Sequence, residues 1–204
     1  AVNSVEISAA DWLCKNVPSG AKIGFDPWLH TPSNMAALRE KLLTHATDLI
    51  PVFDNLIDQI WDDQPQKPTS KAELFPVSVA GYSAQDKKAM IAQALGHAGA
   101  FACVLTAPDS IAWLLNVRGC DVAYLPVVSS YAVVFADKRP VLWVVDARKI
   151  HGEVREAMAS VADIIAPLDF EDSLQNIIAE AKAKSLSVAL DFASVPQHIK
   201  TIIE

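Results

Sequence analysis

Apolar residues along this chain fall into two alternating rhythms, short near-continuous runs and longer stretches at helical spacing, which predicts alternating strands and helices. "AKIGFD" (21–26) predicts a strand. Thr31-Pro32-Ser33 then opens a helix, since proline is tolerated in a first turn, and the helix continues through "NMAALREKLLTHA". "DLIPV" (48–52) predicts the next strand, and "DNLIDQIW" (54–61) a short helix that Asp54 can cap. In that helix Ile57, Ile60 and Trp61 would share one face. The rhythm stops at "DDQPQKPTSKAELFP" (62–76), where prolines and charges replace apolar residues. Such a segment cannot bury enough surface to offset its ordering entropy, so a linker is expected.

Beyond the linker, Ser83 with Asp86 three residues later predicts an N-terminal cap, for a helix running to about Gly96 with Gly99 available to end it. "AFACVLT" (100–106) has the length and continuity of a strand covered on both faces. Pro108-Asp109 opens a short helix. "SYAVVFADKRPVLWVVD" (130–146) reads as a hairpin around a tight polar turn. "KIHGEVREAMASV" predicts a helix, "ADIIAP" a strand, "FEDSLQNIIAEAKAKS" a helix, "LSVALD" a strand and "PQHIKTIIE" the start of a helix. The fold class is therefore α/β. The two ends of the chain share one grammar of helix, strand ending in aspartate, short loop and helix, with Asp26 and Asp191 in equivalent places. A repeat of this kind makes the first region the tail of one α/β unit and the second nearly all of another.

Composition narrows the function classes. The net charge of −7, with no basic run along the chain, argues against a nucleic-acid partner, which would need a Lys/Arg-rich face. No apolar run reaches the ~20 residues needed to span a bilayer, so no membrane partner is expected. "AVNSVEISAADW" lacks the basic and apolar regions of a signal peptide, although a start without Met leaves room for a lost leader. The cysteines, Cys14, Cys103 and Cys120, form no CxxC pair, which fits a reducing cytoplasm. Seven glycines include no G-x-G-x-x-G or P-loop, which removes a phosphate cradle. His30, His45, His97, His151 and His198 lie in separate predicted segments, so no metal-ligating or catalytic residue is assigned.

One stretch does carry a specific pattern. "IAWLLNVRGCDVAYLPVVSSYAVV" (111–134) resembles the signature of the second domain of the aminopeptidase P family, Ile-x-Trp-Leu-x-Asn-x-Arg-Gly-Ser-Asp followed by Ser-Tyr-Ala. Ile111, Trp113, Leu114, Asn116, Arg118, Gly119, Asp121, Ser130, Tyr131 and Ala132 match, and Cys120 stands where serine is usual. "VFDNLIDQIWDDQPQKP" (52–68) resembles the end of that family's first domain, and "KIGFDPWLHT" its Gly-x-Asp-Pro segment. The resemblance implies creatinase N-terminal-type domains, each a mixed β-sheet flanked by helices with a ribonuclease H-like motif. Residues 1–61 would be the C-terminal part of a first such domain, 62–76 a proline-rich linker and 77–204 a second domain. The family's catalytic pita-bread domain, with its dinuclear metal centre (manganese is expected there), would be absent.

In the family the activity is release of an N-terminal residue preceding proline by a metal-activated hydroxide. The resemblance therefore implies a non-catalytic region that walls the substrate cleft and supports subunit contacts. Its partners would be the catalytic domain, a second copy in a dimer and, through the parent enzyme, short proline-containing peptides. The alternatives are a shortened homologue serving as a protein-interaction module, and a small independent α/β enzyme. Truncation of the first unit would expose sheet edges that invite self-association.

The candidate cleft or interdomain contacts are Asn116, Arg118, Asp121, Trp113 and Tyr131. Asn116, Arg118 and Asp121 have a structural reading too, as a loop whose side chains tie down backbone groups and pair Arg118 with Asp121. Trp113 and Tyr131 are expected in core or interdomain packing. Trp28, beside Pro27, is the better exposed contact. Asp26 and Asp191 are expected to cap helices rather than bind a ligand, and Asp62-Asp63 to form a solvated face.

Overall fold

The computed structural model describes residues 7–43 and 47–204. The chain divides into two compact units, residues 1–65 with 196–201 and residues 66–195 with 202–204. Thr44 to Ala46, the end of the helix expected after Thr31, lie outside the described residues together with His45, as does the N-terminal stretch Ala1–Glu6.

In the first unit, Ser8 caps α1 (Ala9–Asn16) by accepting from the Asp11 amide, and Thr31 caps α2 (Pro32–Leu42), with proline in the first turn as the sequence requires. β1 (Lys22–Phe25) and β2 (Asp48–Pro51) pair in parallel, from Lys22 opposite Asp48 to Phe25 opposite Pro51. Phe25, Met35 and Leu42 are buried. The expected helix over 54–61 is not formed; the segment turns instead. Asn55 explains why: its Nδ2 donates to Asp26 Oδ2 (2.8 Å) while its Oδ1 accepts from the Ile57 amide (2.9 Å). Such side-chain bonds offer the backbone an alternative to a helix. Leu56, Ile57 and Ile60 consequently stand exposed. Trp28 is only half exposed, its ring 4.7 Å from that of His198, against the expectation of an outward contact.

In the second unit, the stretch expected to link contributes β3 (Glu73–Leu74), followed by α3 (Val77–Ala80). α4 (Ala84–His97) starts in a full capping box, Ser83 Oγ accepting from the Asp86 amide and Asp86 accepting from the Ser83 amide, and Gly99 (φ +66°) turns the chain into β4 (Ala100–Leu105). α5 (Pro108–Leu115), β5 (Val117–Arg118), β6 (Tyr131–Phe135) and β7 (Val141–Val144) follow, then α6 (Gly152–Met158), β8 (Ala162–Ile165), α7 (Phe170–Ala183) and β9 (Ser187–Leu190). The last helix, α8 (Gln197–Ile203), begins in residues of the first unit, where the Gln197 amide donates to His30 O and the His198 amide to Pro27 O.

The sheet of the second unit runs β8-β7-β6-β4-β9. β6 is antiparallel to β4 and β7, while β7 pairs β8 and β4 pairs β9 in parallel. The sheet is thus mixed and flanked by helices. β6 is the one strand reversed against its four companions, so its amino end meets the carboxyl ends of β4, β7, β8 and β9 along one edge. Alternation then sorts the side chains. Ala132, Val134, Val141 and Trp143 join Ile111, Leu114, Leu115, Val154 and Met158 in one cluster under α5 and α6. Phe101, Val133, Phe135 and Val144 are also buried, as are Phe170, Leu174, Ile177 and Ile178 of α7. Each fully buried side chain of this kind contributes about 1.5–3 kcal/mol.

Candidate functional site

The motif after α5 folds around Asn116, which ends the helix in the left-handed region (φ 52°), a conformation asparagine tolerates better than most residues. Asn116 Nδ2 donates to Tyr82 O (2.9 Å), and its Oδ1 accepts from Lys87 Nζ (2.7 Å). The Lys87 ammonium also donates to Trp113 O (2.9 Å) and lies 4.6 Å over the Trp113 ring. Burial, followed by the charge of Arg118, holds the Lys87 amine below its ordinary pKa. Trp113 is therefore not a core residue. The residue is 47% exposed and its ring roofs a buried cation, a use of an aromatic face worth more when the cation is desolvated.

β5 pairs with β3, Glu73 opposite Arg118 and Leu74 opposite Val117. Arg118 turns back: Nη1 donates to Ala112 O (3.0 Å) and Val117 O (2.8 Å), and the guanidinium sits 4.0 Å over the Phe75 ring. The expected Arg118–Asp121 pair does not form. Gly119 separates the two directions. A Cβ there would lie 2.7 Å from Val128 Cγ2 and 3.1 Å from Val127 O, so the close approach of the two chain segments needs glycine.

Asp121 pairs instead with Lys149, supplied by the turn after β7. Lys149 Nζ donates to Asp121 Oδ2 (2.5 Å) and to Ser129 O (3.3 Å). Ser70 Oγ donates to Asp121 Oδ1 (2.5 Å), and the Ser129 amide to Oδ2 (2.7 Å). The carboxylate is thus saturated. Burial alone would raise its pKa, but the bonds from Lys149, Ser70 and Ser129 outweigh it and leave the group below the usual carboxylate value. The bond from Ser70, and that from the Ala72 amide to Lys149 O (2.9 Å), show that the expected linker is fastened to the second unit before β3 begins.

Above this base, Val122 and Leu125 bridge a tight loop, and Tyr124 at its tip is fully exposed with φ +64°. Tyr131 packs as expected, stacked on Phe170 at 5.2 Å, and burial pushes its phenol up. Tyr131 also borders a cavity of about 470 Å³ on the strand edge where β6 begins, lined as well by Lys67, Thr106 and Pro167. Asp26 and Asp191, expected as helix caps, hold strand-end turns instead. Each accepts from the amide two residues on, Trp28 (2.8 Å) and Ala193 (3.0 Å).

Lys149, Lys87, Ser70 and Thr106 escaped the sequence reading. Lys87 follows Asp86 in a helix start that looks solvated, and Lys149 belongs to a stretch read as helix. Their partners lie far along the chain, so no local spacing marks them. Among the described residues no three His, Cys, Asp or Glu side chains group as a metal ion requires, so these residues do not fit a dinuclear centre. Among the same residues no helix is long and apolar enough to cross a membrane, and all three cysteines are free thiols.

Residues 63–204 match the family profile described as Creatinase/Prolidase N-terminal domain. A probable Xaa-Pro aminopeptidase P of Pyricularia oryzae is 34% identical over 185 residues, 89% of this chain and 29% of its own length. Xaa-Pro aminopeptidase ApepP of Drosophila melanogaster is 35% identical over 144 residues, 70% of this chain and 23% of its own. The crystal structure of the X-prolyl aminopeptidase of Caenorhabditis elegans, described as a cytosolic enzyme with a di-nuclear active site, matches with a TM-score of 0.86 at 26% identity. That match covers 97% of this chain and 32% of the worm protein. The chain thus spans less than a third of the length of these relatives. It belongs to the creatinase/prolidase N-terminal domain family, and the relatives it resembles along most of its length are Xaa-Pro aminopeptidases P.

Proposed function

We propose that this chain is the non-catalytic N-terminal region of an Xaa-Pro aminopeptidase, residues 1–61 ending a first creatinase-like domain and 77–204 forming a second. Its task is to wall the substrate cleft of a metal-dependent catalytic domain that releases N-terminal residues preceding proline, in a cytoplasmic enzyme that assembles as a dimer. The dinuclear metal, manganese in this reading, belongs to that catalytic domain.

The observation that carries this reading is the Val122–Leu125 loop. Asn116, Arg118 and Asp121 are spent on internal bonds, and those of Asp121 to Ser70, Ser129 and Lys149 fasten the base of a loop with Val122, Tyr124 and Leu125 turned out to solvent. An apolar tip on a braced base is the chemistry of a docking surface. Trp113, half exposed a few residues before, extends the apolar character of the motif.

The test mixes this chain with the separately produced catalytic domain of a homologous Xaa-Pro aminopeptidase. The chain alone should leave an Arg-Pro-Pro peptide intact with or without added Mn²⁺. It should bind the catalytic domain saturably in calorimetry, and Tyr124→Ser should weaken that binding by about tenfold, or 1.4 kcal/mol. Metal-dependent turnover by the chain alone, or no binding to the catalytic domain, would overturn the proposal.

A further inference from the structure

The cavity beside Tyr131 has a composition the cleft-walling role does not use. Its lining includes Tyr131 and Val144 together with three prolines, Pro68, Pro108 and Pro167. At about 470 Å³ it lies within the ~300–1,000 Å³ of small-molecule pockets, and it opens at the carboxyl ends of β4, β7 and β8, where open α/β sheets take ligands.

Its charges balance to a single surplus. Lys149 is neutralised by Asp121, and Asp146 is held by Arg148 (2.6 Å), whose bonds keep the carboxyl at about 2. Lys67 has no carboxylate partner among the described residues. In a protein of net charge −7, this lining therefore keeps one unspent positive charge. Thr106 adds a donor, because its Oγ1 is buried without any hydrogen-bond partner, a state that stays unfavourable until something accepts from it.

We propose that this cavity binds a small organic monocarboxylate with an apolar body, the carboxylate meeting the Lys67 ammonium and the Thr106 hydroxyl, and the body lying on the proline rings and Tyr131. A bare inorganic anion would leave the apolar walls uncovered, and a cation would face Lys67 unscreened. The site stands on its own lining and does not depend on the docking role of the Val122–Leu125 loop.

Phenylacetate, titrated into the ¹⁵N-labelled 204-residue chain, tests it against its uncharged isostere phenylacetamide and against inorganic phosphate. Phenylacetate should move the Ser129, Ser130 and Val144 amides saturably with a Kd on the order of 1 mM, as expected for a ligand of this size. The amide should bind about tenfold more weakly and phosphate should not saturate. Lys67→Met, at an exposed position, should erase the preference for the acid over the amide. Thr106→Val should weaken both ligands, with thermal unfolding unchanged in Lys67→Met and unchanged or raised in Thr106→Val, which removes an unpartnered buried hydroxyl. Equal binding of acid and amide, saturation by phosphate at the same amides, no saturation by phenylacetate up to about 10 mM, or titrations indifferent to both substitutions would overturn the proposal.

Discussion

Lys149 Nζ and Asp121 Oδ2 meet at 2.5 Å with side chains 5% and 0% exposed, joining the turn after β7 to the loop after β5. A desolvated pair of this kind is expensive to break from one side, because the survivor stays charged and buried. Asp121→Asn or Lys149→Met alone should each lower unfolding stability by about 3–5 kcal/mol, and the double replacement by less than the sum. Urea denaturation of the three variants measures it, and additive losses would contradict the pairing.

The same carboxylate sets an acid limit. Its folded pKa is depressed, so the folded state binds its proton less readily than the unfolded chain. Its contribution is complete above the unfolded carboxyl value near about pH 4 and is lost as pH falls through the lower folded value. The drop in stability below about pH 4 should be shallower in the Asp121→Asn variant than in the wild type. Parallel curves would remove Asp121 as a source of acid sensitivity.

Gly119 is a purely spatial requirement, its backbone being free of positive φ. Gly119→Ala should cost about 1–3 kcal/mol through overpacking against Val128. Val128→Ala in the same molecule should recover part of that loss, leaving the contact with Val127 O. A double-mutant cycle by chemical denaturation reads the coupling.

At Asn116, backbone and side chain do separate work. Asn116→Gly keeps the left-handed turn and removes only the bonds to Tyr82 and Lys87, whereas Asn116→Ala loses both. Alanine should be the worse variant by about 1 kcal/mol, since a Cβ in the left-handed region costs about 1–2 kcal/mol. Both should fall below wild type, because the Lys87 ammonium loses an acceptor. Equal stabilities would show that the turn does not depend on the residue's tolerance of positive φ.

Much of this fold could be read from local chemistry. The Ser83–Asp86 box, the continuous run of β4 and the hairpin of β6 and β7 each declare themselves within a few residues, because caps and periodicity are short-range. The equivalence of Asp26 and Asp191 was legible as well, although as turn residues rather than caps. Helix 54–61 failed where Asn55 bonds to a residue 29 positions away, which no window reveals. Among the candidate contacts, the Arg118–Asp121 pairing failed for the same reason: Asp121 finds Ser70 and Lys149 at separations of 51 and 28 residues. Charges three apart look like partners until the fold supplies better ones.

The reversal of β6 fixes the address of the hollow beside it. A strand of five residues spans about 16 Å, so running it the other way would carry Ser129 and Ser130 to the far margin of the sheet. The short polar hairpin from Ala136 to Pro140 decides that direction, with Lys138 at φ 65° closing it. Whatever side chains come to line it, a recess at this margin is inherited with the topology, and only its chemistry is left for substitution to tune.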